Sequence, residues 1–186
     1  MVRFRDGKIV NRKMGENTVV IILGTPEAPK KVSKKALLEV IGTRAARGDI
    51  ESIVVASRNG KTALELAGTV KGVPVISVTE FEYKEDVKKD MKKLNIRSLE
   101  KSPLPVQDLK GVKDGLMVFG SGAKSAVEVS AVAADKGLVK GKIIAVAGGK
   151  GIDTALVVRP STAEDITNPD PGKRMSVLEV LAFSPD

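Results

Sequence analysis

The sequence predicts an α/β fold with parallel strands, on three observations. Residues 53–56, Ile53-Val54-Val55-Ala56, are a short apolar, β-branched run of the kind found in strands buried on both faces. A polar turn and a short helical pattern separate this run from a second one at 73–78, so residues 52–80 read as strand, helix, strand. Two strands joined through a helix run parallel, and the crossover is right-handed. Further apolar runs at 18–23 and 142–147 alternate with amphipathic stretches at 33–47 and 83–94, the pattern of layered α/β proteins.

The elements follow in order. Residues 1–17 are polar and basic and stand apart from a single domain, 18–186. A tail and a small hairpin around Asp6-Gly7 both fit them. Residues 18–23 are the first strand, followed by a loop whose Pro26 and Pro29 keep it extended. Ser33 suits the N-cap of a helix to about Arg47, with Ala36, Leu37, Val40, Ile41 and Ala45 as its apolar stripe. Arg44 and Arg47 complement the dipole of that helix, and Gly48 ends it. After the 52–80 unit, a helix over 83–94 carries Val87, Met91 and Leu94 on one side and Lys88, Lys89, Lys92 and Lys93 on the other. A short edge strand at 96–99 and a short helix at 106–114 come next. A helix rich in Ala, Val and Ser starts near Gly122, suited to close packing on the sheet, and Gly137 caps it. The strand at 142–147 is fully buried. The strand at 154–158 returns after a short loop and so runs antiparallel to it. A strand at 177–183 closes the chain.

Composition removes much chemistry. The 186 residues are 42% hydrophobic, enough for a globular core without staples. There is no cysteine and no histidine, which excludes disulfides, thiolate nucleophiles, Cys/His zinc sites and a Ser-His-Asp triad. Acid–base groups are restricted to Asp, Glu, Lys and the single Tyr83, so a cofactor would carry any difficult step. Gln107 is the only glutamine in a highly charged chain, a weak mark of a heat-loving source. The net charge of +8 fits nucleic acid or anionic small molecules. Scattered charges and 3% aromatics without tryptophan disfavour nucleic acid. No apolar run is long enough to span a bilayer, and the first residues lack the apolar core of a signal peptide. The expectation is a cytoplasmic protein.

The turn Ser57-Arg58-Asn59-Gly60-Lys61 carries the chemistry. It joins the carboxyl end of a parallel strand to a helix opened by Thr62, where free N–H groups and the helix dipole favour an anion. Gly60 permits close approach, Arg58 and Lys61 add charge, and Ser57 and Thr62 add hydroxyls. The plainer reading, Thr62 as an ordinary N-cap beside solvated bases, stays open. Gly120-Ser121-Gly122 with Lys124 makes a second such helix start, alongside the reading of a glycine turn needed for packing. Gly24-Thr25 follows the strand at 18–23, Thr79-Glu80 follows the strand at 73–78, and Gly148-Gly149-Lys150-Gly151 with Asp153 and Thr154 follows the strand at 142–147. Loops beyond the carboxyl ends of parallel strands share one rim, where ligands of open α/β sheets bind. Glycines, hydroxyls and lysines there suit a phosphate-bearing ligand.

Residues 35–80 resemble the C-terminal domain of pyruvate kinase. The resemblance rests on Ile53-Val54-Val55-Ala56, on Ser57 with Gly60, Thr62 and Ala63, and on Pro74-Val75-Ile76-Ser77-Val78-Thr79. Three later blocks look like the stand-alone pyruvate kinase alpha/beta domain proteins. These are Phe119-Gly120-Ser121-Gly122-Ala123-Lys124 with Val127-Glu128, then Ala133-Ala134-Asp135-Lys136-Gly137, then residues 148–155 with Val157-Val158-Arg159-Pro160. The resemblance implies a three-layer α/β/α domain with a mixed, mostly parallel sheet. It also implies a sugar-phosphate effector site on the turn matching 57–62, closed by a loop at 148–153. The chain has no room for the kinase's catalytic barrel, so pyruvate kinase activity is not expected. The family also suits flavin mononucleotide (FMN), its phosphate on the same turn, with a flavin-dependent oxidoreductase as the enzymatic alternative. A homo-oligomer is compatible with all of these.

Overall fold

The structure, a computed structural model, describes residues 33–148 and 151–183. The expected basic segment 1–17 and strand 18–23 lie outside the described residues, as do Gly149 and Lys150. The chain begins with α1 (Lys34–Ala45), β1 (Ser52–Ala56), α2 (Lys61–Thr69), β2 (Val75–Val78), α3 (Glu85–Lys93) and β3 (Arg97–Leu99). A 3-10 turn at Pro105–Gln107 leads to α4 (Lys110–Met117), α5 (Ser121–Asp135), β4 (Ile143–Ala147), β5 (Thr154–Arg159) and β6 (Ser176–Ala182). The described strands form one sheet in the order β3-β2-β1-β4-β5-β6. β3, β2, β1 and β4 are parallel neighbours, and β5 runs antiparallel to both β4 and β6. The fold is thus α/β with a mixed, mostly parallel sheet.

Successive residues of β1 show why it must be apolar throughout. Ile53 and Val55 pack with Leu37 and Ile41 of α1, Leu66 of α2 and Met91 of α3. Val54 faces the other way, among Ala126, Val129 and Val132 of α5. The sheet is therefore sandwiched between α1–α3 and α5. The small residues of α5 let it lie close, and Val127 and Ala131 on its outer side pack against Val106 and Ile166.

Several local expectations are met and some shift. The Ser33 side chain accepts from the Ala36 N–H at 3.2 Å, as an N-cap should. Arg44 lies in the last turn of α1 as expected, but it is not solvated there. It is buried, donating to Glu179 of β6 and to Asp49, and so ties α1 across the sheet. The guanidinium holds both carboxyls below the usual carboxylate range through these hydrogen bonds. The helix expected at 106–114 is split: Pro105 starts a 3-10 turn, and Leu109, at φ −94° and ψ 73°, separates it from α4. α3 starts at Glu85, because Tyr83 turns inward instead.

The winding of the chain positions the site. It steps from β1 to β2 to β3 with α2 and α3 on one face, then recrosses along α5 on the other face to β4. The winding reverses between β1 and β4, and in open α/β sheets ligands bind beyond the carboxyl ends of the strands at such a point, which marks this rim as the candidate site.

Candidate functional site

One flank of this candidate site is the turn from β1 into α2. The Ser57 N–H donates to the Val78 carbonyl at 3.1 Å, continuing the parallel ladder. The Ser57 carbonyl accepts from the Tyr83 hydroxyl at 2.7 Å, and that hydroxyl lies 2.8 Å from Ser77 Oγ. Burial pushes the Tyr83 phenol from 10.0 up to about 12, so Tyr83 is a neutral clamp rather than an acid–base group. Asn59 Oδ1 accepts from the Lys61 N–H at 3.2 Å and is committed to the turn. The N-cap of α2 is Gly60, at φ 80°, not Thr62. A Cβ on Gly60 would strike Val87 and come within 2.8 Å of Met91 Cε, so packing of α3 demands this glycine. Arg58 lies over the Phe81 ring, 4.6 Å from its centroid, and Phe81 is partly exposed. Lys61 is exposed, and the first turn of α2 holds no acidic residue. The Ser57 hydroxyl is buried without a hydrogen-bond partner. Thr79 stitches the neighbouring loop: its hydroxyl accepts from the Phe81 N–H at 3.2 Å and donates to the Arg58 carbonyl at 3.4 Å.

The other flank is the start of α5 with the loop between β4 and β5. Gly120 is the N-cap, and Ser121 begins the helix. A Cβ on Gly122 would clash with Thr154 Oγ1 and lie 2.8 Å from Asp153 Oδ1, so the helix start is pressed onto the start of β5. Thr154 Oγ1 donates to Asp153 Oδ1 at 3.0 Å, and the Asp153 N–H donates to the Ala147 carbonyl at 3.2 Å. A Cβ on Gly148 would sit 2.8 Å from the Asp153 nitrogen, so Gly148 is pressed against Asp153, while Gly151 is exposed. The structure thus brings Gly120, Ser121 and Gly122 together with Gly148, Asp153 and Thr154.

Lys124 is not a free cation. It is buried, with its Nζ 3.0 Å from Glu128 Oε2, and Glu128 Oε1 is buried without a partner. Burial raises the Glu128 pKa, Lys124 opposes that shift, and Glu80 adds repulsion. The buried role of Glu128 escapes a reading by composition. The i, i+4 spacing of Lys124 and Glu128 in a helix of small apolar residues is the signal for it. The Arg58–Phe81 stack leaves no comparable mark in the sequence.

Away from this rim, a groove of about 460 Å³ lies at the amino end of β2, lined by Ala67, Val70, Lys71, Val73, Leu94 and Asn95 among others. Among the described residues, no group of three or more His, Cys, Asp or Glu could hold a metal ion, and no helix is long and apolar enough to cross a membrane. No protein-family model matches the chain.

Proposed function

We propose that the protein binds a phosphate-bearing small molecule at the carboxyl ends of β1 and β4. The observation that carries the reading is the start of α2, at the carboxyl end of β1, with no acid in its first turn and with Lys61 exposed. A phosphate there would meet the N–H groups and dipole of α2, the Thr62 hydroxyl and the Lys61 ammonium. The unpartnered Ser57 hydroxyl supports the same location, because a buried polar group without a partner costs about 1–3 kcal/mol and a small rotation toward a ligand would relieve it.

The exposed Phe81 ring beside the turn, with Arg58 over it, favours a ligand that also carries a planar ring, a nucleotide or FMN, over a sugar phosphate. Should FMN be that ligand, it would supply redox chemistry, and the chain would act as a flavin-dependent oxidoreductase. The chain's own share would be to hold the phosphate at Lys61 and Thr62 and to shield the ring edge at Phe81. The test is to record the absorption spectrum of the purified protein, then denature it and identify released molecules by mass. A released phosphate ester supports the proposal, and yellow colour selects FMN. An empty protein whose melting temperature ignores added phosphate esters overturns it.

A further inference from the structure

The loop after β2 carries a charge that the fold does not use. Glu80 stands between Thr79 and Phe81 at the carboxyl end of β2 and is exposed. Its acidic neighbours have structural duties. Glu82 pairs with Lys88 and Lys101, and Glu100 accepts from the Tyr83 N–H at 2.7 Å. Glu80 has no hydrogen bond or ion pair among the described residues, and the one carboxyl that it bears on, Glu128, it repels. The register places it beside the α2 start. Ala56 pairs with Val78, and the Thr79 hydroxyl donates to the Arg58 carbonyl at 3.4 Å, so Glu80 and Phe81 leave the sheet next to the turn that opens α2.

We propose that Glu80 reads the ribose of a ribonucleotide, its carboxylate accepting hydrogen bonds from the 2′- and 3′-hydroxyls. The inference rests on the phosphate site at the α2 start and names the class of ligand that the site takes. Topology selects this ligand. The sheet order β3-β2-β1-β4-β5-β6, with β5 alone reversed, is the order of sheets that bind nucleotides where the winding reverses. In such sheets the phosphate sits on the helix that follows the first strand. An acid at the end of the second strand, about 20 residues beyond the glycine turn, takes the ribose. Glu80 stands at the end of β2, 20 residues beyond Gly60. A carboxylate is an acceptor only, and a pair of vicinal hydroxyls can donate to both of its oxygens. Phosphate, ribose and base then follow one another along the rim as Lys61 with Thr62, Glu80, and Phe81 with Arg58. Dinucleotide turns carry three glycines so that the backbone can approach a pyrophosphate. The turn from Ser57 to Lys61 carries one, which suits a single phosphate.

Titration calorimetry of the wild-type chain with AMP, GMP, CMP and UMP, and with their 2′-deoxy counterparts, reads the ribose contact. At least one ribonucleotide should bind about tenfold or more tighter than its 2′-deoxy counterpart, the effect of a hydrogen bond to a charged group. Glu80→Ala should erase that preference and keep the weaker 2′-deoxy affinity. Its melting temperature should be no lower than that of the wild type, because Glu80 is exposed and unpaired among the described residues. Glu80→Arg should turn the preference around, so that adenosine 2′,5′-bisphosphate gains on AMP. Equal binding of the ribo and 2′-deoxy forms overturns the inference, as does a preference that survives Glu80→Ala. Inorganic phosphate and a hexose bisphosphate separate its failure from that of the phosphate site. If either binds and no ribonucleotide does, the ribose contact falls alone; if nothing binds, both fall.

Discussion

The two helix starts at the carboxyl ends of the parallel strands look alike in sequence and behave differently in the fold. Each follows a glycine, each has a lysine in its first turn and each has a hydroxyl residue nearby. At α5 the protein answers its own charge: Lys124 is buried against Glu128, and Asp153 brings a carboxylate beside Gly122. At α2 the turn is braced from below by Tyr83 and from within by Asn59, but Lys61 and the helix end remain open. A helix start becomes available to a ligand only where the surrounding packing leaves it unanswered. The same motif pressed against a neighbouring strand is a structural joint.

Breaking the closed end should cost most. Lys124→Met should lower unfolding free energy in urea by about 3–5 kcal/mol, because Glu128 would stay buried without its cation. The Glu128 pKa is already raised, so this group favours the fold while protonated, and its contribution is lost as pH rises through the folded pKa. The deficit of the variant should therefore shrink in acid and grow toward neutrality; a deficit flat in pH would remove Glu128 from the explanation.

Gly60→Ala comes next, at about 2–3 kcal/mol, from a left-handed backbone and the crowding of Val87 and Met91. A loss near zero would mean that α3 does not press on the turn. Tyr83→Phe should cost about 1–2 kcal/mol at neutral pH, since it leaves the Ser57 carbonyl without its donor. With the wild-type phenol raised from 10.0 to about 12, its contribution is present below pH 10 and fades as pH rises through 12. The two stability curves should converge in alkali. The smallest effect is Asn59→Ala, about 0.5–1 kcal/mol in the same melts, from one freed N–H at the α2 start.

The parallel core was legible because it follows from local pattern. Ile53 to Ala56 must be apolar on successive residues to serve two helical layers, and the short return from Ala147 to Thr154 forces an antiparallel strand. The convergence of the loops followed from the same topology. The state of each candidate residue did not, since it depends on partners distant in sequence. Nothing near Gly60 announces that Val87 and Met91 will fill the space above it, and nothing near Arg44 announces Glu179. Asn59 reads as a ligand contact, and nothing beside it announces that its Oδ1 holds the Lys61 N–H.

The central claim, that the open α2 start takes a phosphate, is tested most directly with Thr62→Asp. An acid in the first turn of a helix favours the fold, so the variant should melt no lower than the wild type. The same charge should repel a bound phosphate and weaken it tenfold or more. Titration calorimetry of both proteins with inorganic phosphate, AMP, FMN and a hexose bisphosphate, and with adenosine, riboflavin and the free hexose, makes the comparison. The account predicts that at least one phosphorylated member binds the wild type, that its dephosphorylated counterpart does not, and that Thr62→Asp abolishes the difference. Equal binding with and without the phosphate, unchanged affinity in Thr62→Asp, or no binding by any of them would contradict it.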